Sequence, residues 1–161
     1  MTDMYFWHGI PEKSAGTTNG YGGGVEAGET PVQAAIREVE EETRGDRKPG
    51  DGVAVRPEDL RLSAVLTAHR LNAEGMLRTA KILVFLCDRW NGDIISTKEM
   101  IDPCRYPREK LPLADMMLAD RYWLPPVLAG KKVLVEFTYA RGFTALIGDV
   151  QVKEVERLSA E

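Results

Sequence analysis

The chain is poor in several features that would mark a specialised class. Only two cysteines and two histidines occur in 161 residues. Two cysteines are too few for a disulfide framework. Cys87 adjoins the run Ile82-Leu83-Val84-Phe85-Leu86 and reads as a small buried thiol. Cys104 and the lone histidines His8 and His69 have no partner pattern and receive no role. No apolar run approaches the roughly 18 residues of a membrane span. Basic charge is not in excess: 21 Lys and Arg face 25 Asp and Glu, a formal net charge of −4. General binding to a nucleic-acid polymer or a membrane surface is therefore not expected. A small phosphorylated ligand is not excluded, because a metal ion can meet its charge. Met1-Thr2-Asp3-Met4 carries an acid and no basic region, unlike a secretory leader, so a cytoplasmic location is the default expectation.

What is present describes a globular protein, with 43% hydrophobic and 29% charged residues. A chain of this length suits one domain over residues 1–161, burying roughly 70% of its unfolded surface without disulfides. Met4 to His8 is short, aromatic and strand-like. Gly9 to Gly28 is a loop by composition, with Tyr21-Gly22-Gly23-Gly24 inside it. Thr30-Pro31 signals a helix start, and Val32, Ala35, Ile36, Val39 and Thr43 give that helix an apolar stripe. It should stop near Arg44-Gly45. After a polar loop from Asp46 to Asp59, Leu60 to Leu71 and Met76 to Asp88 form a hairpin around Asn72-Ala73-Glu74-Gly75. A short strand is expected over Pro103 to Tyr106, and short helices over Leu113 to Leu118 and Asp120 to Leu128. A second hairpin pairs Lys131 to Ala140 with Phe143 to Val152. The pattern predicts an α+β fold, an α/β/α sandwich with a mixed sheet and one long helix.

The informative stretch is Gly23 to Gly45. Glu38, Glu41 and Glu42 sit at i, i+3 and i+4 and share one face of the helix. Carboxylates about 6 Å apart repel by about 0.7 kcal/mol per pair in water, and by about 3 kcal/mol at an effective dielectric near 20. Arg37 can reach Glu41, and no other basic residue of the helix faces the trio. A Glu-rich helix is usually just a solvated face. Here a glycine loop precedes it at fixed distance, with Glu29 before the helix and Arg37 within it, and this reverses the odds. Carboxylates on a rigid element suit a hard cation such as Mg²⁺, with Mn²⁺ as the alternative, shared with substrate phosphates. Gly22, Gly23 and Gly24 let the backbone approach a metal or phosphate.

This segment resembles the Nudix box, Gly-x5-Glu-x7-Arg-Glu-aliphatic-x-Glu-Glu-x-Gly-aliphatic. Gly23, Glu29, Arg37, Glu38, Val39, Glu41 and Glu42 match in register. The pattern places Gly and an aliphatic residue at 44 and 45, where this chain has Arg44 and Gly45. Either the helix runs one residue longer before its Gly, or a loop is inserted and Gly52-Val53 resumes the pattern. The resemblance implies that Glu38, Glu41, Glu42 and the Gly23 carbonyl ligate metal. It also implies that Glu29 braces the loop and Arg37 orients a glutamate. The carboxylate that activates water is a helix glutamate or Glu99, with the choice open.

Lys98 to Tyr106, Leu111 to Pro125 and Val152 to Val155 are similar to the animal MutT-homologue enzymes of this family, which hydrolyse oxidised purine nucleoside triphosphates. The likeness runs from about Ser14 onward. It implies a nucleotide-pool-sanitising diphosphatase of the 8-oxo-dGTP type. Asn19 falls where that subfamily contacts the base. Its tryptophan position is Met117 here, and of its two adjacent aspartates only Asp120 matches, Ala119 holding the other place. The reaction class therefore transfers better than the base preference. The subfamily opens with two strands before the glycine loop, and this chain has room for only Met4 to His8. Either the first strand is lacking or another segment covers that edge. A homodimer is compatible with this reading, as are two others: another Nudix substrate, such as a nucleotide sugar or dinucleoside polyphosphate, and a non-catalytic nucleotide-binding module.

Overall fold

The computed structural model describes residues 4–9, 18–98 and 100–160. The backbone divides into two compact bodies. The first comprises residues 1–61 and 87–117, and the second residues 62–86 and 118–161.

The first body carries a three-stranded sheet in the order β2-β1-β5 and the long helix α1. Strand β1 (Met4–Gly9) pairs antiparallel with β2 (Thr18–Asn19) through Trp7↔Asn19 and His8↔Thr18. Its other edge pairs antiparallel with β5 (Met100–Tyr106), from Met4↔Tyr106 to Gly9↔Met100. Thr18–Asn19 thus corrects the loop reading at that point. A second strand, described over Thr18–Asn19, does precede the glycine loop, and both edges of β1 are covered. β5 begins three residues earlier than the sequence suggested.

Helix α1 (Pro31–Arg44) starts and ends where its signals put it. The Thr30 hydroxyl accepts from the Gln33 amide at 3.2 Å, and the Gln33 side chain accepts from the Thr30 amide at 2.8 Å, a capping box. Gly45 closes the helix at φ 59°, a region that favours glycine, and its N–H returns to the Glu41 carbonyl at 3.2 Å. The expected apolar stripe is only partly right. Thr43 is buried as expected and so is Ala34, while Val32, Ala35, Ile36 and Val39 are half-buried.

Both alternatives for the motif's end hold together. Gly45 stops the helix, and Gly52-Val53 supplies the packing further along the chain. A Cβ at Gly52 would overlap the Glu40 carbonyl, so only glycine fits against that helix backbone. Val53 is 2% exposed and donates its N–H to the Thr43 hydroxyl at 2.7 Å. The Glu40 carboxylate accepts from the Gly50 amide at 2.8 Å and tethers the intervening loop. Further on, the buried Asp59 accepts from Arg56 Nε at 2.8 Å and from Arg89 Nε at 2.7 Å. The Arg56 hydrogen bond chiefly holds its carboxyl below the ordinary value.

The second body holds a mixed sheet in the order β4-β3-β6-β7. Strands β3 (Leu60–Leu71) and β4 (Leu77–Cys87) are neighbours joined through a turn in which Gly75 N–H donates to Asn72 O. Strand β6 (Lys132–Tyr139) runs parallel to β3 and antiparallel to β7 (Gln151–Val155). Val133, Val135, Phe137 and Tyr139 alternate inward along β6 and are buried. Helix α2 (Asp120–Leu128) packs on β6 and buries Trp123, Leu124, Val127 and Leu128. The Ala119 amide donates to the Tyr139 hydroxyl at 2.9 Å.

Three expectations are corrected. Leu113 to Leu118 forms turns, not a helix, and the Asp115 carbonyl accepts from the Thr18 amide at 2.6 Å instead of an amide one turn on. The last strand is Gln151–Val155, because Gly142, Phe143 and Gly148 all take positive φ and break the run from Phe143. Cys87 is half-buried, with its Sγ 3.1 Å from the Arg89 carbonyl. His69, given no role from sequence, lies between Thr79 Oγ1 at 2.7 Å and Glu136 Oε1 at 3.3 Å.

Candidate active site

The acidic face of α1 is organised by one guanidinium. Arg37 donates from Nε to Glu29 Oε1 and from Nη2 to Glu29 Oε2, both at 3.0 Å, a two-pronged grip. Its Nη1 reaches Glu38 Oε1 at 2.8 Å and Glu41 Oε2 at 3.1 Å. Nη2 also donates to the Gly24 carbonyl at 2.9 Å. Arg37 is thus the cation that relieves the repulsion inherent in the sequence, and it ties the glycine loop to the helix. Hydrogen bonds to Glu29 and then Glu38 push its pKa further above its ordinary value. The Arg37 hydrogen bond and then the Glu26 amide hold the Glu29 carboxyl below the usual carboxylate value.

Gly22 to Gly24 lies against the same face. The Gly22 amide donates to Glu42 Oε2 at 3.0 Å. A Cβ at Gly23 would overlap the Glu38 carboxylate, so the missing side chain is what lets the loop and the acid meet. Exposure separates the acids: the Glu38 side chain is 16% exposed and that of Glu41 44%. Glu29, expected to brace the loop, and Arg37, expected to orient a glutamate, meet here in one hydrogen-bonded network.

Asn19 is exposed in β2 and folds its Oδ1 back onto the Gly20 amide at 2.9 Å. Met117 is half-buried at the end of the first body. Asp120 opens α2 in the second body; it is buried and its Oδ1 accepts from Trp123 Nε1 at 3.1 Å. Trp123 is buried in the core. Glu99 lies outside the described residues. Thr97 escaped the sequence reading. Its hydroxyl donates to the Glu42 carbonyl at 2.9 Å, a contact across 55 residues that carries no local signal.

A family model described as the NUDIX domain matches residues 6–127. The chain belongs to the Nudix family. It is 30% identical over 149 residues to an oxidized purine nucleoside triphosphate hydrolase of Danio rerio, covering 89% of this chain and 82% of that protein. To the mouse protein of the same description it is 28% identical over 127 residues, covering 78% and 71%. Its fold is similar to the crystal structure of the MutT mutator protein of Bacillus halodurans, with a TM-score of 0.73 at 18% identity, covering 94% of this chain and 90% of that one. The α+β Nudix fold with a mixed sheet and two helices is the architecture described above. Nudix hydrolases act on small-molecule nucleotide substrates and generally use divalent ions such as Mg²⁺. No described helix of this Nudix hydrolase is long and apolar enough to cross a membrane.

The donor chemistry of the site fits such an ion: three carboxylates and loop backbone are hard oxygen ligands. Among the described residues, no three acidic, histidine or cysteine side chains stand close enough together to hold one. Glu38 and Glu41 are engaged by Arg37, and Glu42 by the Gly22 amide.

Proposed function

We propose that this Nudix hydrolase is a Mg²⁺-dependent pyrophosphohydrolase, with Mn²⁺ as the alternative ion. Its substrate is an oxidised purine nucleoside triphosphate of the 8-oxo-dGTP type, cleaved to monophosphate and pyrophosphate. The observation that carries the reading is the acidic face of α1, knit by Arg37 and the Gly22 amide to a glycine loop. Glu38, Glu41, Glu42 and the Gly23 carbonyl would hold the ion. When bound, it would supply charge neutralisation on the phosphates and acidify a water. Arg37 holds Glu38 and Glu41 at their stations, and the Gly22–Gly24 backbone gives the phosphates close approach. A helix glutamate or Glu99 takes the proton of the attacking water. Asn19 and Asp120 hydrogen-bond the base edge, and Met117 offers it an apolar face. The reading takes residues 1–161 as one Nudix domain working on a small nucleotide.

The names of the Danio rerio and mouse relatives support the oxidised purine. Met117 and Ala119, in place of tryptophan and aspartate, favour a second reading in which the base differs or the substrate is another nucleoside diphosphate derivative. A Mg²⁺-supported panel separates them: oxidised and normal dGTP and dATP, a nucleotide sugar and a dinucleoside polyphosphate. Preference for an oxidised triphosphate, weakened in Asn19→Ala and Asp120→Ala, is the expected result. Equal selectivity in both variants would reject the base contacts. Ligand-induced stabilisation with no hydrolysis would identify a binding module instead.

A further inference from the structure

The end of α1 is clasped from a distant loop. The Glu42 carbonyl is among the last four of the helix, whose intrahelical donors run out. The Thr97 hydroxyl donates to it at 2.9 Å. The same side chain lies against Gly45: a Cβ there would stand 3.0 Å from Thr97 Cγ2 and 3.1 Å from Thr97 Cβ. Any residue but glycine at 45 would therefore crowd the threonine as well as strain the backbone at φ 59°. One residue on, Lys98 Nζ pairs with the Asp46 carboxylate at 2.6 Å. Residues 97–98 thus run beside 42–46, and the departure from the motif at Arg44-Gly45 is the place where they dock.

We propose that Thr97 is a positioning residue for the acidic face. By holding the Glu42 carbonyl it keeps the last turn of α1 wound, and with it the Glu41 and Glu42 carboxylates in register with the glycine loop. Glu42 transmits the effect directly, because its side chain accepts from the Gly22 amide while its carbonyl accepts from Thr97. Thr97 reaches the acidic face through Glu42 and Gly45. The inference rests on reading that face as the ion-holding one.

Two substitutions separate the Glu42 hydrogen bond from the packing on Gly45. Thr97→Val keeps the branched shape against Gly45 and removes the donor. Thr97→Ser keeps the donor and removes the methyl. Binding of Mn²⁺ to the protein alone, followed by electron paramagnetic resonance, is read beside kcat and KM for Mg²⁺-dependent nucleotide hydrolysis. Loss of one net hydrogen bond predicts Mn²⁺ binding about threefold to tenfold weaker in Thr97→Val. Its kcat falls at sub-saturating Mg²⁺ with KM for nucleotide within about twofold of wild type. Thr97→Ser restores both. Wild-type Mn²⁺ affinity in Thr97→Val, or a Thr97→Ser no better than Thr97→Val, overturns the positioning role and leaves the proposed function intact. A wild type that binds no Mn²⁺ and hydrolyses no nucleotide overturns both.

Discussion

Replacing Thr43 by valine tests how the site helix is anchored. Thr43 is 1% exposed, so its environment is fully desolvated. Its hydroxyl donates to the Val39 carbonyl at 2.5 Å and accepts the Val53 amide at 2.7 Å. Valine has nearly the same shape, so no cavity opens. The Val39 carbonyl keeps its helical partner, but the buried Val53 N–H is left without an acceptor. An orphaned buried donor costs about 1–3 kcal/mol. At about 2–4 °C per kcal/mol for a chain of this size, Tm should fall by about 2–12 °C. Thr43→Ser keeps the acceptor and gives up one methyl, worth about 0.8 kcal/mol. Thermal and urea melts of both variants decide the matter. A Thr43→Val protein as stable as wild type, or more stable than Thr43→Ser, would refute the claim that this hydroxyl fastens the returning chain to α1.

Acid should loosen the loop brace. Glu29 has a folded pKa depressed below its ordinary 4.5, so its contribution is complete above that value and fades as pH falls through the lower, folded one. Arg37 stays charged throughout. Glu29→Gln should therefore flatten the acid limb of Tm against pH below about pH 4.5, seen in melts from neutral to acid pH; an unchanged limb would exclude the pair as a source of acid lability. Gly52→Ala forces a methyl into the Glu40 backbone and should cost about 1–3 kcal/mol in a denaturant titration, as overpacking does. A neutral result would mean that the 45–52 loop does not dock as described.

Much of this architecture was legible because its signals are local. Thr30, Pro31, Gln33 and Gly45 fix both ends of α1 by short-range hydrogen bonds and one positive φ, and Asn72 and Gly75 fix the β3–β4 turn. Helical spacing put Arg37 within reach of Glu41, and the family resemblance implied the brace at Glu29 and the orienting role of Arg37. What was not legible depends on partners far along the chain. Thr18–Asn19 is a strand only because β1 lies beside it. Leu113 to Leu118 has helical spacing, yet Thr18 takes its Asp115 carbonyl. The strand-like alternation after Phe143 continues through Gly148, but the positive φ values there break it. Thr97 acts on α1 across a gap that no pattern of spacing reports.

The central claim is that the carboxylates of α1 bear the ion on which polyphosphate cleavage depends. Pyrophosphate release from a nucleoside triphosphate, titrated with Mg²⁺ for wild type, Glu41→Gln and Glu42→Gln, tests it most directly. Wild type should turn over only with the ion, and each variant should lose at least about 10²-fold in kcat/KM. Variants that keep wild-type turnover with the same Mg²⁺ dependence would place the chemistry elsewhere.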